Sequence, residues 1–493
     1  MYFKKNILIV IILIILQCTN AQSQKNDSEF TTKLSKVNEK TKSIYKEYKM
    51  YGDFIIGVIN EQGLIHSYLL NKEAIEGKKT SLTKDSPFYI ASHTKAFTGT
   101  LLKIMEDQNQ IDLNKTIADY YPELIQDERI DNKSISIKKL LTHTSGFVSA
   151  MFQLKTSFLG YQDQGDLLAS ASNKIMIDPS GRFRYSNTGP ILTSMIVEKK
   201  FGTSWKNIMK AVVFKRLGMT NTSANVSDFN NNKIRPAVHK NENNGILKTG
   251  LYKTDQTMTA AGGVISTLND LSKWLKVNIN QDNVLLSKGA WKDLHEPLVK
   301  QNRNYFTYQR HGYSLGWDIA TYMKDTILTR FGGWGEISFH ASFIPSKKLG
   351  IIAYSNDDRA AGLPHLIANY AYNLMNDNVD AEKVFSEEKL IFDKAFKKTI
   401  EDLKRIPNNY LSASGFNDEI IGKYKNDEGW PEIIIKKEAD YYIINWGVLP
   451  GVIYPLNEAQ RDYVSPFSGF MGRRFQIKEN ILKTGSIIYK KQN

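Results

Sequence analysis

The sequence predicts an α/β (α+β) chain, an antiparallel sheet flanked by helices, with a small all-β domain behind it. Three stretches carry that reading. A short apolar run, Phe88 to Ala91, breaks at Ser92 into a segment whose Ala96, Phe97, Leu101, Leu102 and Met105 recur at helical spacing. Gly312 to Asp318, Thr326 to Gly335, Ile337 to Pro345 and Leu349 to Ser355 read as consecutive strands of one antiparallel sheet. From Asp418 onward, short runs rich in Ile, Tyr and Val alternate with turns.

The chain has 493 residues, which suggests two or three domains, and 41% hydrophobic with 24% charged residues is the composition of a globular core. At the start, Lys4 and Lys5 precede an unbroken apolar run, Ile7 to Leu16, and Thr19-Asn20-Ala21 offers small or polar residues for cleavage. This is the pattern of a secretory signal over residues 1–21, and the run is too short for an ordinary transmembrane helix. The expectation is export across the inner membrane to the periplasm. Cys18 is the single cysteine and leaves with the signal, so the mature chain has no disulfide and no thiol chemistry. The alternative is lipid attachment at Cys18, against which Gln17 is a poor fit. The formal charge is +14 and stays strongly positive without Lys4 and Lys5. Such a balance favours anionic neighbours, including envelope surfaces. Nucleic acid is a poor candidate, because the lysines are scattered and no reading motif is present.

Taken in order, residues 28 to 49 read as a helix, and Phe54 to Asn60 with Gly63 to Leu70 as two strands joined by a turn. The Ser92 helix follows. Ile135 to Gly146 reads as a helix stopped by Gly146. Residues 150 to 178 carry little signal. Asp178 to Gly189 is a turn containing Tyr185-Ser186-Asn187, and Pro190 to Phe201 is a helix. Ala260 to Leu271 is a glycine turn and a capped helix. Its glycines lack phosphate-loop spacing and read as close backbone packing. Pro364 to Met375 reads as a helix packed on the sheet. The domain reading is 28–378 for the main unit, 379–412 for a charged helical linker and 413–493 for the β domain. The β domain's strands are read at Glu419–Lys425, Pro431–Lys437, Asp440–Val448, Val452–Leu456, Arg473–Lys478 and Gly485–Lys490.

The chemistry starts at Ser92. Lys95 lies one helical turn on, so its amine can face the Ser92 hydroxyl. A serine nucleophile needs such a neighbour, and a helix start supplies N–H groups for an oxyanion. The S-x-x-K pattern also occurs at Ser43, Ser81, Ser136 and Ser386, where a lysine-rich chain makes it by chance. On position alone Ser92 is equally an N-cap. Tyr185 carries a phenol that can shuttle a proton, and Asn187 an amide that both donates and accepts. Y-x-N recurs at Tyr354 and Tyr424, so this pattern too is weak alone. His143, a lone histidine in a helix-ending turn, reads as a hydrogen-bonded structural residue. No cluster of His, Cys and carboxylates has zinc spacing, and no metal or cofactor is implied.

In chain order the motifs are Ser92-His-Thr-Lys95, Leu140-Leu-Thr-His-Thr-Ser-Gly146, Tyr185-Ser-Asn187, Ala261-Gly-Gly-Val-Ile-Ser-Thr267 and Tyr313-Ser-Leu-Gly-Trp317. Together they resemble the serine hydrolases related to class C β-lactamases and D-alanyl-D-alanine carboxypeptidases, the penicillin-binding-protein-like enzymes, over about residues 30 to 378. The resemblance implies the β-lactamase/penicillin-binding transpeptidase-like fold, with the active serine starting a central helix between the sheet and a helical subdomain. It implies Ser92 as the acyl-accepting nucleophile, Lys95 as an aid in removing its proton, Tyr185 as general base or acid, and Asn187 as the holder of the substrate's amide side chain. The family's third motif, Lys or His, a variable residue, then Gly, is where this sequence departs. Literal Lys-Thr-Gly occurs at Lys248 and Lys483, both in the wrong part of the chain, and the right place holds Arg330-Phe331-Gly332-Gly333. Arg330 keeps the cation but cannot exchange a proton. It is expected to anchor a substrate carboxylate or tune Tyr185. The N–H groups of Ser92 and Gly333 would form the oxyanion hole.

The resulting expectation is an exported serine hydrolase working through a Ser92 acyl-enzyme on an amide or ester. A β-lactam, or a small-molecule or peptidoglycan-derived D-amino-acid peptide or ester, fits as substrate. Its rival is an inactive or slowly acylated protein that binds peptidoglycan or senses β-lactams.

Overall fold

The computed structural model describes residues 29–492 except 123–130, 173–174, 179, 231–232, 242–244, 249–251, 336, 404–417, 439–440, 458–460 and 468–469. The expected leader, with Cys18, lies outside the described residues, as does the end of the expected linker.

A nine-stranded antiparallel sheet forms the centre. From one edge the order is Gly63–Leu70, Phe54–Asn60, Leu349–Ser355, Ile337–Ile344, Asp325–Thr329, Asp318–Tyr322, Tyr308–Tyr313 and Val299–Tyr305. The short strand Gly332–Trp334 also pairs with Ile337–Ile344. Alternation along the middle strands explains why both faces are covered. In Phe54–Asn60, Ile55 and Ile59 enter one apolar core while Phe54, Ile56 and Val58 enter a second. In Leu349–Ser355, Ile352 and Tyr354 face the first core, and Leu349, Ile351 and Ala353 the second. Helices Thr94–Asp107, Thr188–Phe201 and Leu268–Asn280 contribute to the first core. The second is closed by the helix of residues 29–47 and by Leu363–Met375.

The expected antiparallel sheet with helices on both faces is therefore present, and several local readings shift. The run expected as one strand from Thr326 to Gly335 is broken at Arg330-Phe331, where Arg330 N–H donates to Ala341 O at 2.9 Å. Gly146 does not stop a helix: Ile137–Leu141 ends earlier, and Gly146, at φ +69°, packs on Asp178 and leads into Phe147–Ser149. The charged helix read at this point is present as Ala381–Leu403, and its Phe385 and Phe392 are buried in the second core.

The C-terminal β domain is a closed barrel of eight strands, from Gly422–Lys425 to Ile487–Lys491. Two of its strands, Asp462–Phe467 and Ile481–Thr484, had no counterpart in the sequence reading. Its core includes Trp446, whose Nε1–H donates to Tyr489 Oη at 2.9 Å. The core also takes in Met151 and Leu159 from the main unit, so the barrel is docked rather than tethered. At the contact, Val448 N–H donates to Leu159 O at 2.9 Å. Gly447 has φ +56°, and a Cβ there would lie 2.0 Å from Leu159 O. Both facts require glycine. Gly447→Ala is expected to cost about 1–3 kcal/mol in chemical denaturation and to expose the junction to limited proteolysis. An unchanged midpoint and cleavage pattern would remove the docking argument.

Candidate active site

Ser92 sits at a sharp strand-to-helix turn. Phe88–Tyr89 pairs with Ile265–Ser266, and Ile90 N–H donates to Val264 O at 3.1 Å, which ties off the incoming strand. A 3-10 turn, Ala91–His93, then enters Thr94–Asp107, with Ala91 at φ +44°. The helix is buried from Thr94 to Met105, while Ser92 stays partly open to solvent. The helix start leaves N–H groups and the positive end of its dipole beside the serine.

Lys95 Nζ–H groups donate to Ser92 Oγ at 3.2 Å, Asn187 Oδ1 at 2.7 Å and Ala261 O at 2.7 Å. Three acceptors around one buried nitrogen match the three donors of an ammonium. Tyr185 Oη is 3.0 Å from Ser92 Oγ. Burial alone would raise the phenol's pKa, but Arg330 and then Lys95 outweigh it and hold it below the ordinary tyrosine value. So the sequence-predicted Ser92, Lys95, Tyr185 and Asn187, distant in the chain, share one hydrogen-bonded cluster.

Arg330 joins them and is 5% exposed, which limits what it can bind. Its Nη2–H donates to Tyr185 Oη at 2.5 Å, its Nη1–H to Asp318 Oδ2 at 2.9 Å and its Nε–H to Ser92 O at 3.2 Å. Of the two expected roles, this geometry matches tuning Tyr185, since each of the three guanidinium nitrogens already donates to a group of the protein. His93 secures the same segment. Trp274 Nε1–H donates to His93 Nε2 at 3.0 Å, so the ring proton is on Nδ1 and donates to Arg330 O at 3.1 Å. Burial keeps this imidazole neutral, with its pKa pushed down to about 3. Gly332–Trp334 then runs beside the Ser92 turn. A Cβ on Gly332 would lie 2.1 Å from Ile90 O, so only glycine lets the two backbones approach. Gly333 is exposed on that strand. The rejected Lys483 lies on the barrel strand Ile481–Thr484.

A profile of the beta-lactamase family matches residues 38–371, well over half of the chain. The chain belongs to the beta-lactamase family. It is 22% identical over 355 residues to the unguisins hydrolase ungD' of Aspergillus campestris, covering 66% of this chain and 61% of that protein. It is 23% identical over 286 residues to protein flp of Staphylococcus aureus, covering 57% and 54%. The chain thus spans less than two thirds of either relative. Among solved structures, the octameric penicillin-binding protein homologue from Pyrococcus abyssi aligns with TM-score 0.60 at 20% identity, over 93% of this chain and 99% of that one. The D-amino acid amidase from Ochrobactrum anthropi SV3 aligns with TM-score 0.56 at 16% identity, over 66% and 92%. These likenesses establish the fold, including the sheet with its helices and the C-terminal barrel.

In this beta-lactamase family member, the residues that hold the cluster were mostly silent in the sequence. His143, read as structural, positions the tyrosine loop: Ser186 N–H donates to its Nδ1 at 3.3 Å, leaving Nε2–H to donate to Tyr313 Oη at 3.1 Å. Burial holds it neutral. The segment from Met151 to Leu159 walls the site. Gln153 Oε1 accepts from Asn187 N–H at 3.0 Å, Ser157 O from Trp334 Nε1–H at 3.2 Å, and Phe158 stacks on Trp334. Lys253, also buried, donates to Ser157 O and lies 4.5 Å from the Trp334 ring centre. Burial lowers its pKa to about 7. Gln153, Ser157, Phe158 and Lys253 gave no periodic or motif signal, whereas His143 and Tyr313 stand inside two of the motifs. Asp318 directly follows the Tyr313–Trp317 motif, but the sequence reading gave it no role, and only the fold sets it opposite Arg330.

Proposed function

We propose an exported serine hydrolase that forms an acyl-enzyme at Ser92 and cleaves an amide or ester, of which D-amino-acid peptides or esters of the cell envelope fit best. The observation that carries this is the Lys95 ammonium saturated by three acceptors while Tyr185 faces the same Ser92 hydroxyl. A saturated ammonium has no lone pair to offer, so the base is the Tyr185 phenolate. Ser92 Oγ passes its proton to Tyr185 as it bonds to the substrate carbonyl carbon. The oxyanion is held by the N–H groups of Ser92 and Gly333. As the C–N or C–O bond breaks, Tyr185 gives the proton to the leaving group, and water repeats the cycle to free Ser92. The likeness to a D-amino acid amidase and the positive charge of the chain support the substrate class. Arg330 in place of Lys or His argues against an efficient β-lactamase.

The test is intact mass after incubation with a fluorophosphonate and, separately, with a penicillin, followed by turnover of a D-amino-acid amide and ester. A one-to-one fluorophosphonate adduct with turnover of either substrate supports the reading. An inert wild-type protein replaces it with the binding-protein alternative.

The pH dependence has a definite sign. Burial pushes the Lys95 amine down to about 8, against the opposing pull of Tyr185. Lys95 and Tyr185 titrate as a pair, and the active form is the pair that has lost one proton. Turnover is therefore expected to rise with pH, about tenfold per unit on the acid side of roughly pH 8, then fall as the second proton leaves. A flat kcat/KM profile between about pH 6 and 8 would contradict it.

A further inference from the structure

We infer that Arg303 anchors an anionic group of the substrate, at a subsite one aromatic ring away from the nucleophile. The inference rests on the hydrolase reading for what the subsite serves.

Arg303 lies on the edge strand Val299–Tyr305 and is exposed, yet its guanidinium is folded back over the active-site rings. Its Cζ is 5.3 Å from the Phe183 ring centre and 5.9 Å from that of Tyr185. Two further cations crowd the same tyrosine, with Arg330 Cζ at 4.7 Å and Lys95 Nζ at 4.9 Å. Across the strand pair, Arg303 stands directly opposite Arg310. Like charges in directly opposed positions repel.

The acid that answers these cations is Asp318, which is 1% exposed. Its Oδ2 lies 2.9 Å from Arg330 Nη1 and 3.6 Å from Arg310 Nη2, and its Oδ1 accepts from Gln301 Nε2–H at 3.0 Å. One buried carboxylate is thus shared by two guanidiniums and an amide. Arg303 has no acidic partner among the described residues. The described residues around the catalytic phenol thus carry more cations than acids, and among them Arg303 is exposed and without an acidic partner. A planar guanidinium held on aromatic faces presents its N–H edge to a carboxylate or similar oxyanion. Arg330 is less suited, being 5% exposed with each of its three nitrogens already donating to Ser92 O, Asp318 or Tyr185.

The test uses the full chain as Ser92→Ala, so that bound peptide is not consumed. N-acetyl-D-alanyl-D-alanine and its C-terminal amide are titrated by calorimetry into Ser92→Ala and into Ser92→Ala/Arg303→Gln. The free acid is expected to bind about 10- to 100-fold tighter than the amide to the first protein, as for a charge-assisted hydrogen bond. Arg303→Gln should erase that preference and leave amide binding in place, while Arg303→Lys keeps part of it. Equal binding of acid and amide to Ser92→Ala, or a preference that survives Arg303→Gln, overturns the assignment. The hydrolase reading fails separately, by a wild-type chain inert to the fluorophosphonate.

Discussion

Ser92→Ala is expected to abolish fluorophosphonate labelling and to lower kcat by roughly 10⁴ to 10⁶, with whatever substrate the chain turns over. The hydroxyl is the centre of the cluster, 3.2 Å from Lys95 Nζ and 3.0 Å from Tyr185 Oη, so its removal leaves no atom to acylate. Lys95→Met should be nearly as damaging, because the phenolate loses a counter-charge. The double variant should be no worse than Ser92→Ala alone, since the residues act as one unit. Lys95→Met carries a second expected result, on stability. Lys95 is 2% exposed, and burial lowers its pKa to about 8 within the pair it forms with Tyr185, so the folded pair gives up its first proton, from the phenol, earlier than the unfolded groups do. The unfolded chain therefore binds more protons than the folded one between about pH 8 and 10, and stability rises with pH across that window. Below about pH 8 the full penalty of a buried charge is present. Lys95→Met should remove it, raising stability at pH 7 by roughly 1–3 kcal/mol while activity is lost. Guanidinium denaturation at pH 7 and 10 checks this; a destabilised, pH-insensitive variant at both values would sink it.

Arg330→Gln should combine a large loss of activity with a large loss of stability. It strips the strongest ion pair from Asp318, which is 1% exposed, at a cost of about 3 kcal/mol even with Arg310 and Gln301 remaining. It also removes the cation that most lowers the Tyr185 pKa, while the burial that raises it stays. At neutral pH kcat/KM is expected to fall about 10² to 10³, with the rising limb displaced to higher pH. Adding Asp318→Asn separates the two effects: thermal stability should return, and activity should not. Arg330→Lys should rescue little, because one ammonium cannot reach Ser92 O, Asp318 and Tyr185 together. Restored activity in the Arg330→Gln/Asp318→Asn chain would show that Arg330 acts only through folding.

Much of the sheet was readable because a side chain alternates faces every residue. Phe54-Ile-Ile-Gly-Val-Ile and Leu349-Gly-Ile-Ile-Ala-Tyr are buried on both faces and show as unbroken apolar runs. The break at Arg330-Phe331 was not readable, because nothing local marks it. It is imposed by Gly332 meeting the Ile90 carbonyl, a contact between residues more than two hundred positions apart in the chain. Two barrel strands were missed for a similar reason. Asp462–Phe467 and Ile481–Thr484 are short, and closure of the barrel supplies the pairing that their own residues do not advertise. The 381–403 helix was read from its charges as a linker, whereas the stripe carrying Phe385 and Phe392 decided its burial.

By itself the sequence determined the chemistry on offer: a serine one helical turn before a lysine, a tyrosine two residues before an asparagine, and a cation before paired glycines. Each is a local pattern, and local spacing sets which groups a turn or helix can present together. The tertiary structure decided how those groups are charged and what they still have free. Arg330 is committed inward because Asp318 lies buried opposite it, Tyr185 is held below its ordinary pKa because Arg330 and Lys95 converge on it, and Arg303 lies over the Phe183 and Tyr185 rings with no acidic partner among the described residues. Those outcomes depend on distance and burial between distant segments, and electrostatic strength follows distance and burial rather than order along the chain.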